Sequence, residues 1–433
     1  MNMKINKDTK IKALKLIISL SLVIMLGLGA FMPVLAADYA QAGDKDHPAQ
    51  AAITKLLHMP AGTSTPAATF NFQFKPIEFD DDEYDGNNMP SIDDIEISFD
   101  GTENAPEDDI STTPGKKTVY KESENIIASV VEWPRGGIYR YEVTEEAGTY
   151  STPGSAGYTD EVEYSKAMFL IEVYVDNKND GSGETYVKYI VAKRMKNYDG
   201  SPVGGSGSKV DPTPGGDPEE GTYYSQMIFN NTYMKKTGGT DPTNPADTVL
   251  EISKTVTGDF YADDDLFHFD VTINNPAVGI NLSSTYLGYI VQYDVTEKKD
   301  VVVGSPITFT VDSPQVVDLM HGQRLTFTTL PVGAKFEAME AGIKDYTAKL
   351  DLMLNGDITK SGNSIDQKEL STGVQFISEG EDRADFINVY KTVTPTGIGV
   401  DDLPYIVIIA LTLVSLGAFI ILIYRKNVKR AAK

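Results

Sequence analysis

The feature that most limits what this chain can fold into is the alternation of apolar and polar residues in short runs. TFNFQF (69–74), IEVYVD (171–176), FHFDVTI (267–273) and LTFTTL (325–330) each place every second side chain on one face, the period of a half-buried β-strand. Clusters rich in Gly, Pro, Asn and Asp punctuate these runs, and no long amphipathic helical pattern lies between the two ends of the chain. The expectation is an all-β protein of two tandem Ig-like, Greek-key β-sandwiches. A helix is expected only at each terminus.

Those termini read as membrane-directed. Lys4, Lys7, Lys10, Lys12 and Lys15 precede an apolar run from Leu16, and PVLAADYA supplies small residues for cleavage after Ala36, so residues 1–36 read as an export signal. Residues 403–424 form an apolar run close to the roughly 20 residues that span a bilayer. Arg425, Lys426, Lys429, Arg430 and Lys433 follow, a basic tail of the kind retained in the cytoplasm. The stretch between faces the outside of the cell. The formal charge is −24 although both ends are basic, which concentrates acidity in the middle and argues against nucleic acid as a partner. Exported domains are commonly braced by disulfides, yet this chain contains no cysteine. Its cores must suffice unaided, or another cross-link is used. Four scattered His and no Cys offer neither a metal cluster nor a thiol nucleophile, so no metal or cofactor is expected; His58 and His268, beside strand segments, read as surface residues.

KKTGGTDPTNPADT (235–248) has the composition of a linker. It divides the exported part into residues 37–236 and 249–392, with 237–248 between them and 393–433 as a terminal anchor. Residues 79–109, strongly acidic, and 201–221 read as loops of the first domain. Asp81, Glu83, Asp85 and Gly86 echo a calcium loop, but Ile92 stands where its closing Glu belongs, so the segment reads as a solvated acidic loop. DNKNDGSGE (176–184) reads as a hairpin turn.

Three polar residues recur in the same order in both domains. Lys55, Glu145 and Asn231 lie in ITKLL, YEVTE and FNNTY; Lys254, Glu340 and Asn388 lie in ISKTV, FEAME and FINVY. Alternation puts each on an apolar face: Lys55 with Ile53 and Leu57, Lys254 with Ile252 and Val256, Asn231 between Phe229 and Tyr233, Asn388 between Phe386 and Tyr390. Glu145 shares a face with Tyr141 and Val143, whereas its neighbour Glu146 takes the opposite one; Glu340 follows Phe336 and Ala338. An isolated buried charge costs several kcal/mol, so such groups shift toward neutrality or find one another. Desolvation lowers a lysine pKa and raises a glutamate pKa. A neutral amine beside a protonated acid can attack a carboxamide, with loss of ammonia and formation of a neutral Lys–Asn isopeptide bond.

Both domains resemble the intramolecular isopeptide domains of Gram-positive pilins of the streptococcal major-pilin type. ITKLLHMPAGTSTPAATFNFQF, ISKTVTG, YEVTE, FNNTY and FINVY carry the likeness, which extends over nearly all of residues 50–392. The resemblance implies Lys55–Asn231 and Lys254–Asn388 cross-links, with Glu145 and Glu340 as autocatalytic acids acting once each, so the protein is no enzyme in the usual sense. Joining first strand to last across such long loops would remove roughly 5 kcal/mol of unfolded-state entropy. It would also pass tension between the domain ends through covalent bonds.

VTPTG (393–397), followed by an apolar span and a basic tail, resembles a cell-wall sorting signal read by sortase, which would cut between Thr396 and Gly397. The usual signal has leucine and proline where Val393 and Thr394 stand, which leaves the sortase class open. The implied partners are sortase, peptidoglycan or other pilin subunits, and the membrane through the C-terminal helix. The implied location is the Gram-positive cell wall. Polymerisation would need a further acceptor lysine, and Lys193, Lys196, Lys235 and Lys236 are candidates. The alternative function is a non-polymerising anchored adhesin that binds a host or matrix ligand through residues 79–109.

Overall fold

The structure is a computed structural model that describes residues 42–150, 158–216, 221–258, 261–262, 264–341, 346–364, 369–390 and 403–431. The export signal and the sorting pentapeptide, with Thr396 and Gly397, lie outside the described residues.

The described chain is all-β apart from two short 3-10 turns and one C-terminal helix. The first half contains β1 (Thr54–Pro60), β2 (Ala67–Phe79), β3 (Asp82–Glu83), β4 (Ile95–Asp100), β5 (Lys116–Glu122) and β6 (Gly137–Glu145). It continues with β7 (Tyr158–Glu163), β8 (Met168–Asn177), β9 (Thr185–Lys196), β10 (Ser208–Val210) and β11 (Ile228–Thr237). These strands make a four-stranded sheet ordered β5-β1-β11-β7 and a second ordered β10-β9-β8-β6-β2-β3, with β4 paired to β2.

The second half contains β12 (Leu250–Thr257), β13 (Phe267–Asn274), β14 (Thr285–Asp294), β15 (Lys299–Val302), β16 (Ile307–Thr310), β17 (Gln315–Leu319) and β18 (Gln323–Phe327). After these come β19 (Lys335–Ala341), β20 (Tyr346–Leu354), β21 (Asp357–Ser364), β22 (Glu369–Ser371), β23 (Gln375–Phe376) and β24 (Asp382–Tyr390). One sheet runs β15-β14-β18-β12-β24-β20-β21 with β16 on β14; the other runs β17-β13-β19-β22 with β23 on β19.

Each pair of sheets closes on its own apolar core, one drawn from residues 49–233 and the other from 249–386. Burial alternates strictly along β12, β13 and β24, as the sequence pattern requires of strands with one wet face. In contrast β1 is buried at nearly every position. Tight hairpins follow local chemistry: Asn355-Gly356 joins β20 to β21 with φ of +56° and +80°, a primed turn that matches strand twist. The DNKNDGSGE segment connects β8 to β9 as a hairpin.

Three sequence expectations need correction. The acidic segment 79–109 is not a loop throughout, because β4 lies inside it with Ile97 and Phe99 in the core, and Met89 and Ile92 are buried as well. Most of its acidic residues are exposed, but Glu103 is buried and paired with Lys121. Residues 201–221 include the edge strand β10. His58 is half-buried on β1, with its Nδ1 2.9 Å from Thr118 Oγ1, whereas His268 is exposed and paired with Asp318.

The segment between the halves is tied down. Asp247 accepts the backbone N–H groups of Thr240 and Asp241, both at 2.9 Å, and Asn244 caps the 3-10 turn Pro245–Asp247. Thr237 donates to the carbonyls of Thr328 and Leu330, and the Val332 N–H donates to the Lys235 carbonyl. Glu379 of the second half accepts from Lys235 Nζ at 2.8 Å and from the Ser64 N–H at 2.6 Å. A Pro/Gly/Asp/Thr composition suggests a tether, but the Asp and Asn side chains here fold it against itself. Helix α1 (Leu403–Ala431) includes a stretch, Tyr405–Arg425, long and apolar enough to cross a membrane, with mean hydropathy 3.1.

Candidate functional site

In each half the first strand lies beside the last and runs parallel to it. Lys55 of β1 stands opposite Phe229 of β11, and Lys254 of β12 stands opposite Phe386 of β24. Asn231 and Asn388 are therefore each two residues beyond the lysine's partner, on the same face of the sheet. The acid arrives from the facing sheet. Glu145 of β6 is opposite Phe72 of β2, and Glu340 of β19 is opposite Phe269 of β13. Across the core the Phe72 ring lies 5.0 Å from that of Phe229, and the Phe269 ring 5.1 Å from that of Phe386. These aromatic contacts set the acid over the lysine by the same construction twice.

The three polar groups meet in both halves. Lys55 Nζ donates to both oxygens of Glu145, at 2.6 and 2.7 Å, and Asn231 Nδ2 donates to Glu145 Oε1 at 2.6 Å. Lys254 Nζ and Asn388 Nδ2 both donate to Glu340 Oε1, at 2.7 Å. One carboxylate oxygen thus holds the amine and the amide nitrogen together. The lysine and glutamate side chains are 0% exposed in both sites, and both asparagines are fully buried. Phe70 and Phe267, each two residues before the phenylalanine just named, place their rings 4.6 and 4.3 Å from the ammonium nitrogens. A Phe-x-Phe pair therefore roofs each site and keeps water out.

Burial controls the protonation. Desolvation lowers Lys55 to about 7 and Lys254 to about 8, against the pull of Glu145 and Glu340 in the other direction. Desolvation likewise holds Glu145 and Glu340 above the ordinary carboxylate value, with the lysines and asparagine amides acting as the smaller, opposing influences. The Ser165 backbone N–H is a further minor opposing influence on Glu145. Burial thus biases both partners of each site toward their neutral forms.

The carboxamide oxygens differ. Asn231 Oδ1 accepts the backbone N–H of Ser165 at 2.7 Å, in the buried connection between β7 and β8. Because a backbone N–H can only donate, this bond fixes the amide with Nδ2 toward the carboxylate. Asn388 Oδ1 and Glu340 Oε2 are both buried without a partner among the described residues.

Glu146 is exposed, its backbone N–H on the Asn71 carbonyl at 2.9 Å. Of the lysines considered as acceptors, Lys193, Lys235 and Lys236 are ion-paired to Glu172, Glu379 and Glu161. Lys196 is exposed and makes no ion pair among the described residues. No group of residues suited to hold a metal occurs among the described residues. Sequence reasoning missed Phe70, Phe72, Phe267 and Phe269, although the repeated Phe-x-Phe after each lysine was there to be read. It also missed Ser165, whose contribution is a backbone group with no side-chain signature, and the buried Lys117, which donates to Asn104 Oδ1 at 2.8 Å.

A family described as a domain of unknown function (DUF7601) matches residues 248–390, which is less than half of the chain. No curated protein matches. Among solved structures, the major pilin from Streptococcus pyogenes is similar at 18% identity, over 79% of this chain and 99% of that one, with a TM-score of 0.31. The T-13 major pilin protein of the same organism is 19% identical over 82% of this chain and 100% of that one, with a TM-score of 0.28. A pilus-presented adhesin is 16% identical over 52% of this chain and 36% of that one, with a TM-score of 0.21. Values this low assign no function.

Proposed function

We propose that this chain is a pilus-type structural protein of the Gram-positive cell surface, in which each sandwich closes itself with one Lys–Asn isopeptide bond. The observation that carries the reading is the double occurrence of one dry Lys–Glu–Asn cluster at one strand register. In the reaction, the neutral lysine Nζ attacks the asparagine Cγ and the new C–N bond forms. The C–Nδ2 bond then breaks, and the proton released from Nζ passes through the carboxyl group to Nδ2, which leaves as ammonia. Both nitrogens already sit on one carboxylate oxygen, so this transfer needs no rearrangement. In the second site Glu340 Oε2 and Asn388 Oδ1 are both buried without a partner among the described residues, and a proton on the acid would turn Oε2 into a donor.

Export, sortase cleavage after Thr396 and attachment to peptidoglycan or to another subunit complete the proposal, supported by the sequence of the two termini and by the apolar helix α1. Intact mass measurement of residues 37–392 tests the chemistry. The expected mass is that of the sequence less two ammonia molecules, and an unreduced mass rejects both bonds. Wall extracts probed after hot detergent test the assembly: a ladder of high mass indicates a polymer, a single band an anchored monomer.

A further inference from the structure

We infer that the Ser165 backbone N–H serves the first sandwich as an oxyanion donor with no counterpart among the described residues of the second, so that the Lys55–Asn231 bond closes before the Lys254–Asn388 bond. The inference rests on the proposed isopeptide chemistry and adds a group and an order to it.

Attack on a carboxamide carbon turns its oxygen into an oxyanion. The charge that develops on Oδ1 is the one a site must stabilise, and a preorganised donor in a dry pocket does so most effectively. In the first site that donor is in place, 2.7 Å from Asn231 Oδ1. Its position is fixed by the chain on either side. β7 pairs with β11, the strand that carries Asn231, and β8 pairs with β6, the strand that carries Glu145. Ser165 bridges those two strands, and its Oγ accepts the Ala167 N–H at 3.3 Å, which holds the turn. Amine, proton carrier, leaving nitrogen and oxyanion donor are therefore assembled together. In the second site the first three are present, but Asn388 Oδ1 has no donor among the described residues. There the oxygen depends on Glu340 being protonated on its free oxygen, so one carboxyl group must both stabilise the oxyanion and carry the proton. Glu145, with both oxygens on Lys55, is relieved of the first task.

Bond formation in the full chain, made by timed cell-free translation in detergent and quenched by denaturation, would be followed by mass spectrometry of the two cross-linked proteolytic peptides. The 55–231 peptide is expected to appear on the order of a hundredfold faster than the 254–388 peptide, the scale associated with one oxyanion donor. Replacing Ser165 by its α-hydroxy acid, which turns the N–H into an ester oxygen, is expected to slow the first bond by a similar factor and leave the second unchanged. Ser165→Ala keeps the N–H and keeps the first bond the faster. Equal rates, the reverse order, or an ester chain with undiminished closure would overturn the inference while leaving the isopeptide reading intact. Absence of both bonds would overturn both. If the ester chain does not fold, as judged by protease resistance, the order of closure in the unmodified chain still decides.

Discussion

Among the described residues of the first sandwich, two buried lysines share a hydrogen-bonded cluster with an asparagine, and only one of them has the surroundings for chemistry. Lys55 shares a fully buried carboxylate with Asn231 beneath two phenylalanine rings. Lys117 donates to Asn104 Oδ1, to Thr65 Oγ1 and to the Thr63 carbonyl, which satisfies all three of its donors with neutral acceptors. Burial lowers the Lys117 pKa too, with Asp109 the largest opposing influence. Asn104, however, is exposed, and no carboxylate forms an ion pair with Lys117 among the described residues. Proximity of amine and amide is thus insufficient: what separates the two pairs is a proton carrier in a dry pocket.

The largest effect expected from breaking this comparison is loss of a bond. Asn231→Ala should lose one ammonia instead of two relative to its own sequence and destabilise the first sandwich by roughly 5 kcal/mol through the opened loop, with the second sandwich unaffected. Calorimetry should then resolve two transitions. The opened chain also gains a pH dependence. Lys55 falls from its ordinary 10.5 to about 7 in the fold, so between those values the unfolded chain binds the extra proton, and stability rises with pH across that window. Glu145, held above its ordinary 4.5, acts in the opposite sense, and stability falls as pH rises from there through its folded value. The closed chain carries no titrating amine at position 55 and should lack the upper slope; urea unfolding at a series of pH values measures it.

Next in size is removal of the proton carrier. Glu145→Gln preserves the shape of the site and should slow closure of the first bond by about 10²- to 10⁴-fold, read as delayed ammonia loss. Lys117→Met should cost only about 1 kcal/mol per net hydrogen bond lost and should leave the mass defect at two ammonia molecules. A third ammonia loss in the unmodified chain would erase the distinction drawn above. The smallest effect is expected at the junction, where Glu379→Gln weakens a partly exposed ion pair to Lys235. It should change stability by less than about 1 kcal/mol while increasing independent tumbling of the two halves in NMR relaxation.

Much of this was legible in the sequence because strand parity is a strong constraint. The same period that placed Ile252 and Val256 in the core placed Lys254 between them, and the same argument separated Glu145 from Glu146. Parity also ran through EISFD within the acidic segment, but surrounding aspartates masked it, so β4 was read as loop. The hydrogen bonding of the junction was not legible for a different reason. Asp247 and Asn244 act through backbone N–H groups whose positions depend on the turn they create, and composition alone does not reveal that. Ser165 was beyond reach for the same reason: any residue but proline at that position supplies the donor.

The neighbouring, parallel placement of first and last strands has a consequence for variation. If the proposed Lys55–Asn231 and Lys254–Asn388 bonds form, a pull along the molecule would run from β1 straight into β11 and from β12 into β24, and the strands and loops between would carry little of it. The exposed acidic positions within residues 79–109 would then be free to vary in charge without altering that path. Surface character and tensile strength would thereby be assigned to different stretches of one chain.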